Sequence, residues 1–153
     1  MDKYTKHFLL FCIGLTFILS AVLKAISINS FSQTVQLYCG LLGMDELSEY
    51  NKSLSIAIIV LELMIGIGAF VKPLQNIVIC FCPFVLGFFT YITYINYYSL
   101  YGNIESCGCF GELVHLSPDE SFYKNVVLLG MSLILFLINN MKMISKSLHH
   151  KIV

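Results

Sequence analysis

Residues 74–100 read LQNIVICFCPFVLGFFTYITYINYYSL, and no Asp, Glu, Lys or Arg interrupts them. A helix needs about 20 predominantly apolar residues to cross ~30 Å of hydrocarbon, so this stretch reads as a membrane span. Working outward, residues 54–71 carry one charge, Glu62, and residues 8–28 carry one, Lys24. Residues 118–141 hold their charges, Asp119, Glu120 and Lys124, near the start. Four spans at about 8–28, 54–71, 74–100 and 118–141 leave two longer connectors, 29–53 and 101–117. Neither connector is long enough for a core of its own. The fold class is therefore all-α: one integral membrane domain over residues 1–153, built as a four-helix bundle.

The whole-chain composition agrees. Of the 153 residues 58% are hydrophobic and 12% charged, and the mean hydropathy is +0.81. A soluble domain averages ~45–50% apolar and ~25% charged residues, so a soluble enzyme is disfavoured. Nine lysines balance nine acids with no arginine. That leaves no basic surface for nucleic acid. The apolar content excludes disorder. Lys3 and Lys6 before an apolar run resemble a signal peptide, but no small-x-small cleavage site precedes Lys24, so the run reads as an uncleaved first span.

Lysine placement predicts orientation. With the N-terminus inside, Lys3, Lys6, Lys72, Lys142, Lys146 and Lys151 are cytoplasmic and only Lys52 and Lys124 lie outside, six against two. This positive-inside bias predicts an N-in/C-in, multi-pass protein with both termini cytoplasmic. Tyr91, Tyr94, Tyr97, Tyr98 and Tyr101 form an aromatic belt at the outer end of span three. The stripe Gly87, Tyr91, Tyr94, Tyr98 reads as helix packing and interface anchoring.

Both connectors then face an oxidising compartment. In the first, Ser30-Phe31-Ser32-Gln33 matches a capping box, and Phe31, Val35, Tyr38 and Leu42 recur at helical spacing. Gly40 and Gly43 should end that helix. It is expected to lie on the outer membrane face. In the second, Ser117-Pro118-Asp119-Glu120 is a helix start, which places span four from Pro118.

The sharpest chemical feature is Cys107-Gly108-Cys109-Phe110-Gly111. Cys107 and Cys109 are at most about 7 Å apart at Cα when extended. A bend at Gly108 brings them within disulfide range, ~4.4–6.8 Å. Gly108 and Gly111 set the loop geometry. Such a small, exposed ring is exchange-competent, which makes the cysteines a candidate redox pair. A structural staple is the alternative, as is metal binding with His115 as a third ligand. Glu105 and Glu112 flank the pair and disfavour a thiolate. Cys39 is a candidate auxiliary thiol, or else a small apolar residue. Cys12, Cys80 and Cys82 lie within spans and read as packing, Cys80 and Cys82 on different helix faces.

Glu62 sits mid-span, where a lone carboxylate costs ~2.5–3.5 kcal/mol on insertion scales, so it should face the bundle. Lys24 lies nearer the outer interface, and its level differs from that of Glu62 by about 7 Å at ~1.5 Å per residue. A structural intramembrane pair is expected, against snorkelling of Lys24 and a neutral, hydrogen-bonded Glu62. A proton- or quinone-linked role is a further reading.

The combination of Ser20-Ala21-Val22-Leu23-Lys24, a Phe- and Tyr-bearing connector, Glu62, Cys107-Gly108-Cys109-Phe110-Gly111 and Lys124-Asn125 resembles the MauE branch of the DoxX-like four-helix membrane proteins. The resemblance covers nearly the whole chain, and its specific part is the cysteine motif followed by Lys124-Asn125. It implies extracytoplasmic thiol–disulfide handling beside a thioredoxin-like protein. The namesake serves maturation of the disulfide-rich small subunit of methylamine dehydrogenase, but methylamine itself is not implied as a substrate here. The combined expectation is a redox-associated membrane protein that exchanges disulfides with a secreted or thioredoxin-like partner through Cys107 and Cys109; if it is an enzyme, it is a thiol–disulfide oxidoreductase. A quinone is left open as cofactor. A non-enzymatic scaffold and a metal-handling membrane protein are the competing readings.

Overall fold

The computed structural model describes residues 3–98 and 118–152, and these are helical apart from short turns. Six helices follow one another: α1 Lys3–Ile26, α2 Ile28–Leu41, α3 Asp45–Ser48, α4 Asn51–Phe70, α5 Gln75–Tyr97 and α6 Pro118–Ile152. Four of them, α1, α4, α5 and α6, are long and apolar enough to cross a membrane. The 20 residues of α4 span about 30 Å at ~1.5 Å per residue, which matches the hydrocarbon thickness. Large apolar side chains stand on the outside of these helices, among them Phe8, Met64 and Phe84 at 65%, 69% and 72% exposure. In water such a surface would drive association. In a bilayer it is the lipid-facing side.

The helix bounds depart from the sequence reading in informative ways. The first helix begins at Lys3, well before residue 8, and its Lys6 Nζ donates to Asn139 Oδ1 of α6 at 3.2 Å. That bond ties the start of α1 to the far part of α6, so both lie at the same end of the bundle. The last helix continues to Ile152, well beyond its apolar part Asp119–Asn140.

The connector 29–53 is mostly helix. Its main element starts at Ile28, and Ser27, the N-cap, makes no side-chain capping bond. The expected capping box at Ser30 is not the helix start. The backbone carries on from α1 with a one-residue break, and Phe31 N–H already donates to Ser27 O at 2.9 Å. Ser27 Oγ instead donates back to Leu23 O. The end of α2 is a Schellman closure: Gly43, at φ +69°, lets Gly43 N–H reach Gly40 O and Met44 N–H reach Cys39 O. Phe31, Val35 and Cys39 are buried against Leu54, Ile58 and Ile59 of α4. The apolar stripe of α2 therefore covers the bundle rather than lying against lipid headgroups.

α1 packs chiefly on α4, and α5 on α6. Two glycines set the first crossing. A Cβ at Gly66 would lie 2.6 Å from Ile18 Cγ1 and 3.1 Å from Gly14 O, and one at Gly14 would lie 2.9 Å from Ala69 Cβ. Small residues permit such close backbone approach in membranes, where no hydrophobic force draws helices together. The main core follows, with Leu10, Ile13, Phe17, Ile65, Ala69, Ile79, Cys82, Leu86 and Leu135 packed together. At the opposite end Tyr97 of α5 stacks on Phe122 of α6, centroids 5.2 Å apart. Of the stripe Gly87, Tyr91, Tyr94, Tyr98, the first two do not pack helices, since a Cβ on Gly87 would meet nothing within 4 Å and Tyr91 is exposed, whereas the Tyr94 ring meets Phe122 of α6 with centroids 6.1 Å apart. The buried face of α5 runs through Val78, Ile79, Cys82, Leu86 and Thr93 instead.

Candidate functional site

The polar chemistry inside the bundle gathers at the end of α1. Relative to the Gly14–Gly66 crossing, Lys24 lies ten residues along α1 and Glu62 four residues back along the antiparallel α4. Their levels differ by about 9 Å at ~1.5 Å per residue, a gap that two long side chains close. Lys24 Nζ lies 2.5 Å from Glu62 Oε1, and the two residues are 3% and 2% exposed. The structure thus brings together the two intramembrane charges. The second carboxylate oxygen, Oε2, has no partner among the described residues.

Two aromatic rings complete the surroundings of the ammonium. Phe31 from α2 has its centroid 5.0 Å from Lys24 Nζ, and Phe89 from α5 is at 5.1 Å. Both lie within the ~6 Å at which the negative face of a ring attracts a cation. Sequence reasoning missed Phe89. It sits in a stretch where almost every side chain is apolar, so no periodic signal separates inward from outward positions. Phe31 was visible only as part of the α2 stripe.

Two hollows adjoin the pair. One, of about 180 Å³, lies between α2, α4 and α5 and is lined by Lys24, Phe31, Val35, Cys39, Ile58 and Phe89 among others. The other has room for little more than a water, about 30 Å³, and is lined by Thr16, Ser20, Lys24, Glu62, Lys124 and Asn125 among others. Behind the second, Asn125 of α6 donates through Nδ2 to Thr93 Oγ1 at 3.3 Å and lies 3.5 Å from Phe89 O. This clamp between α5 and α6 was also missed, because Asn125 reads in sequence as a helix-entry residue.

Among the cysteines, Cys39 is 7% exposed and burial pushes its thiol above the usual range. A thiolate is the nucleophile in exchange, so this burial disfavours the reactive form of Cys39. Cys82 is buried and Cys80 exposed, on different faces of α5, and Cys12 is half-buried. Cys107, Gly108, Cys109 and Gly111 lie outside the described residues, as do Tyr101, His115 and Ser117. The segment that carries the cysteine pair joins Tyr98 to Pro118, and both of these lie at the end of the bundle that holds Lys24 and α2.

The comparisons with known proteins match this frame. A family model described as methylamine utilisation protein MauE matches residues 2–138. The chain is also 29% identical over 145 residues to Protein TlpB of Flavobacterium psychrophilum. That alignment takes in 88% of this chain but 37% of the relative, so the chain spans well under half of the relative's length. No solved structure matches the chain. The family match runs from ahead of α1 almost to the end of the fourth apolar span, and this four-span membrane protein belongs to the MauE family.

Proposed function

We propose that the protein supports thiol–disulfide exchange with a secreted or thioredoxin-like partner on the extracytoplasmic side of a bacterial inner membrane. Cys107 and Cys109 are the exchanging pair. The observation that carries this reading is the Cys107-Gly108-Cys109 sequence in the segment joining α5 to α6, within a chain of the MauE family. The lysine split supports the orientation, with both termini cytoplasmic.

In the exchange, a partner thiolate attacks one sulfur of the Cys107–Cys109 disulfide. A mixed disulfide forms and the other cysteine leaves as a thiolate. The partner's second thiol then displaces the first, which leaves an oxidised partner and a reduced Cys107–Cys109 pair. Two electrons pass to the pair, and the reverse sequence returns them. Glu105 and Glu112 flank the pair and disfavour a thiolate, which weighs against a strongly acidic nucleophile.

Trapping tests the reading. In Cys107→Ser or Cys109→Ser the remaining thiolate attacks an oxidised partner in the reverse direction, and the thiol that would resolve the mixed disulfide is gone, so a covalent, reductant-sensitive adduct with an extracytoplasmic protein should accumulate. The double variant should trap none. If neither single variant forms an adduct, the pair is a staple and the protein a scaffold. Orientation is checked in intact cells: a membrane-impermeant maleimide should reach reduced Cys107 or Cys109, and labelling that requires lysis would reverse the topology.

A further inference from the structure

We propose that the cavity between α2, α4 and α5 is a binding site for a lipid-soluble quinone, with the Lys24 ammonium donating to a quinone carbonyl. The inference rests on the cavity and its lining, and it does not require the loop cysteines to act.

Four observations define the occupant. First, size: the cavity measures about 180 Å³, and a dry apolar cavity of ~150 Å³ takes up a benzene ring, so one six-membered ring fits. Second, the walls: Phe31, Phe88 and Phe89 line it with aliphatic neighbours, which suits the faces and edges of a planar ring. Third, charge: Lys24 is already neutralised by Glu62, so the site favours an uncharged acceptor over a carboxylate or phosphate. An ammonium carries three donors, and Glu62 Oε1 takes one. The rings of Phe31 and Phe89 give the cation electrostatic contact but no oxygen, so donors remain for a ligand oxygen. Fourth, access: Phe88 lines the cavity and is also 55% exposed on the lipid-facing surface of α5, as Met44 and Leu47 are exposed beside it. A ligand therefore enters from the bilayer, and an isoprenoid tail can trail back into it. A planar, neutral, lipid-soluble ring with carbonyl oxygens meets all four requirements. Cys39 lines the same cavity, and its burial favours the neutral thiol, a second weak donor.

The protein in lipid nanodiscs can be titrated with decylubiquinone. The chain has nine tyrosines and no tryptophan, so binding is read as quenching of tyrosine emission and as a rise in melting temperature. Saturable quenching with stabilisation is expected. Lys24→Met should weaken binding tenfold or more, the loss expected for a hydrogen bond from a charged donor. Ile92→Phe fills the cavity from α5 while leaving Lys24 and Glu62 untouched, and should abolish binding in a folded protein. Decanoate, which has a chain and a charge but no ring, should fail to compete. The Cys107→Ser/Cys109→Ser double variant should bind decylubiquinone like the parent, which separates this inference from the exchange reading. No saturable binding to the parent, equal binding by decanoate, or full affinity in Ile92→Phe would each overturn it.

Discussion

The same two helices meet in opposite ways along their length. Where α1 crosses α4 at Gly14 and Gly66, the backbones come so close that an added Cβ would collide. Towards the other end of the pair, Lys24 and Glu62 face each other beside an open hollow. The close end is held by small residues and a continuous apolar core. The open end is held by one buried ion pair, two aromatic rings over the ammonium and the Asn125–Thr93 clamp. The difference teaches where chemistry can reside in a four-span bundle. Close packing leaves no room for a ligand, whereas a polar pair satisfied from one side leaves both volume and unused donors.

The largest expected effect comes from breaking the open end. A buried ion pair that loses one partner typically costs about 3–5 kcal/mol, because the remaining charge is left uncompensated. Lys24→Met and Glu62→Leu should therefore each deplete the protein from the membrane fraction. The double variant replaces the pair with apolar groups and should accumulate better than the sum of the singles allows. Strict additivity, measured by melting in detergent, would show that the two residues act separately.

The close end should be sensitive to size alone. Gly66→Ala puts a methyl against Ile18 and Gly14 and should lower stability by about 1–3 kcal/mol, the usual range for overpacking. Gly87→Ala is the matched control on a face with open space, and should change stability by less than about 0.5 kcal/mol. Equal effects at the two glycines would remove the contrast between a tight crossing and a free face.

Asn125→Leu probes the clamp. Interhelical hydrogen bonds in membrane proteins average about 0.6 kcal/mol, so a small loss is expected, visible as a melting shift well below that of Gly66→Ala. The smallest effect is kinetic. With the other cysteines replaced, Cys39 should alkylate more slowly at pH 8 than the same thiol in the detergent-denatured chain. Burial raises its pKa above 9.0, so the neutral thiol's contribution to stability is full below that value and is lost as pH rises through the folded pKa. Rapid labelling at pH 8 would show that Cys39 is accessible as a shuttle thiol.

The sequence alone determined the four spans and placed Lys24 and Glu62 as the single charges of the first two. Those features depend on transfer of side chains from water to hydrocarbon, which is additive along a chain and needs no knowledge of neighbours. It also pointed to Lys24 and Glu62 as partners, because two opposite charges within reach inside a bilayer have few other ways to be satisfied. The tertiary structure decided the rest. In α5 nearly every position is apolar, so periodicity cannot say which face is inward, and Phe89 and Thr93 become distinguishable from Phe84 and Tyr91 only once α6 and α2 are in place. The capping-box pattern at Ser30 misplaced the start of α2, since continuity with α1 supplies the backbone acceptor at Ser27 that a free-standing helix would lack. The stripe on α2 was legible as amphipathic, but whether it faces lipid or protein is not a property of the helix. The apolar surface of α4 at Leu54, Ile58 and Ile59 decided that, and by drawing α2 inward it enclosed the hollow beside Lys24.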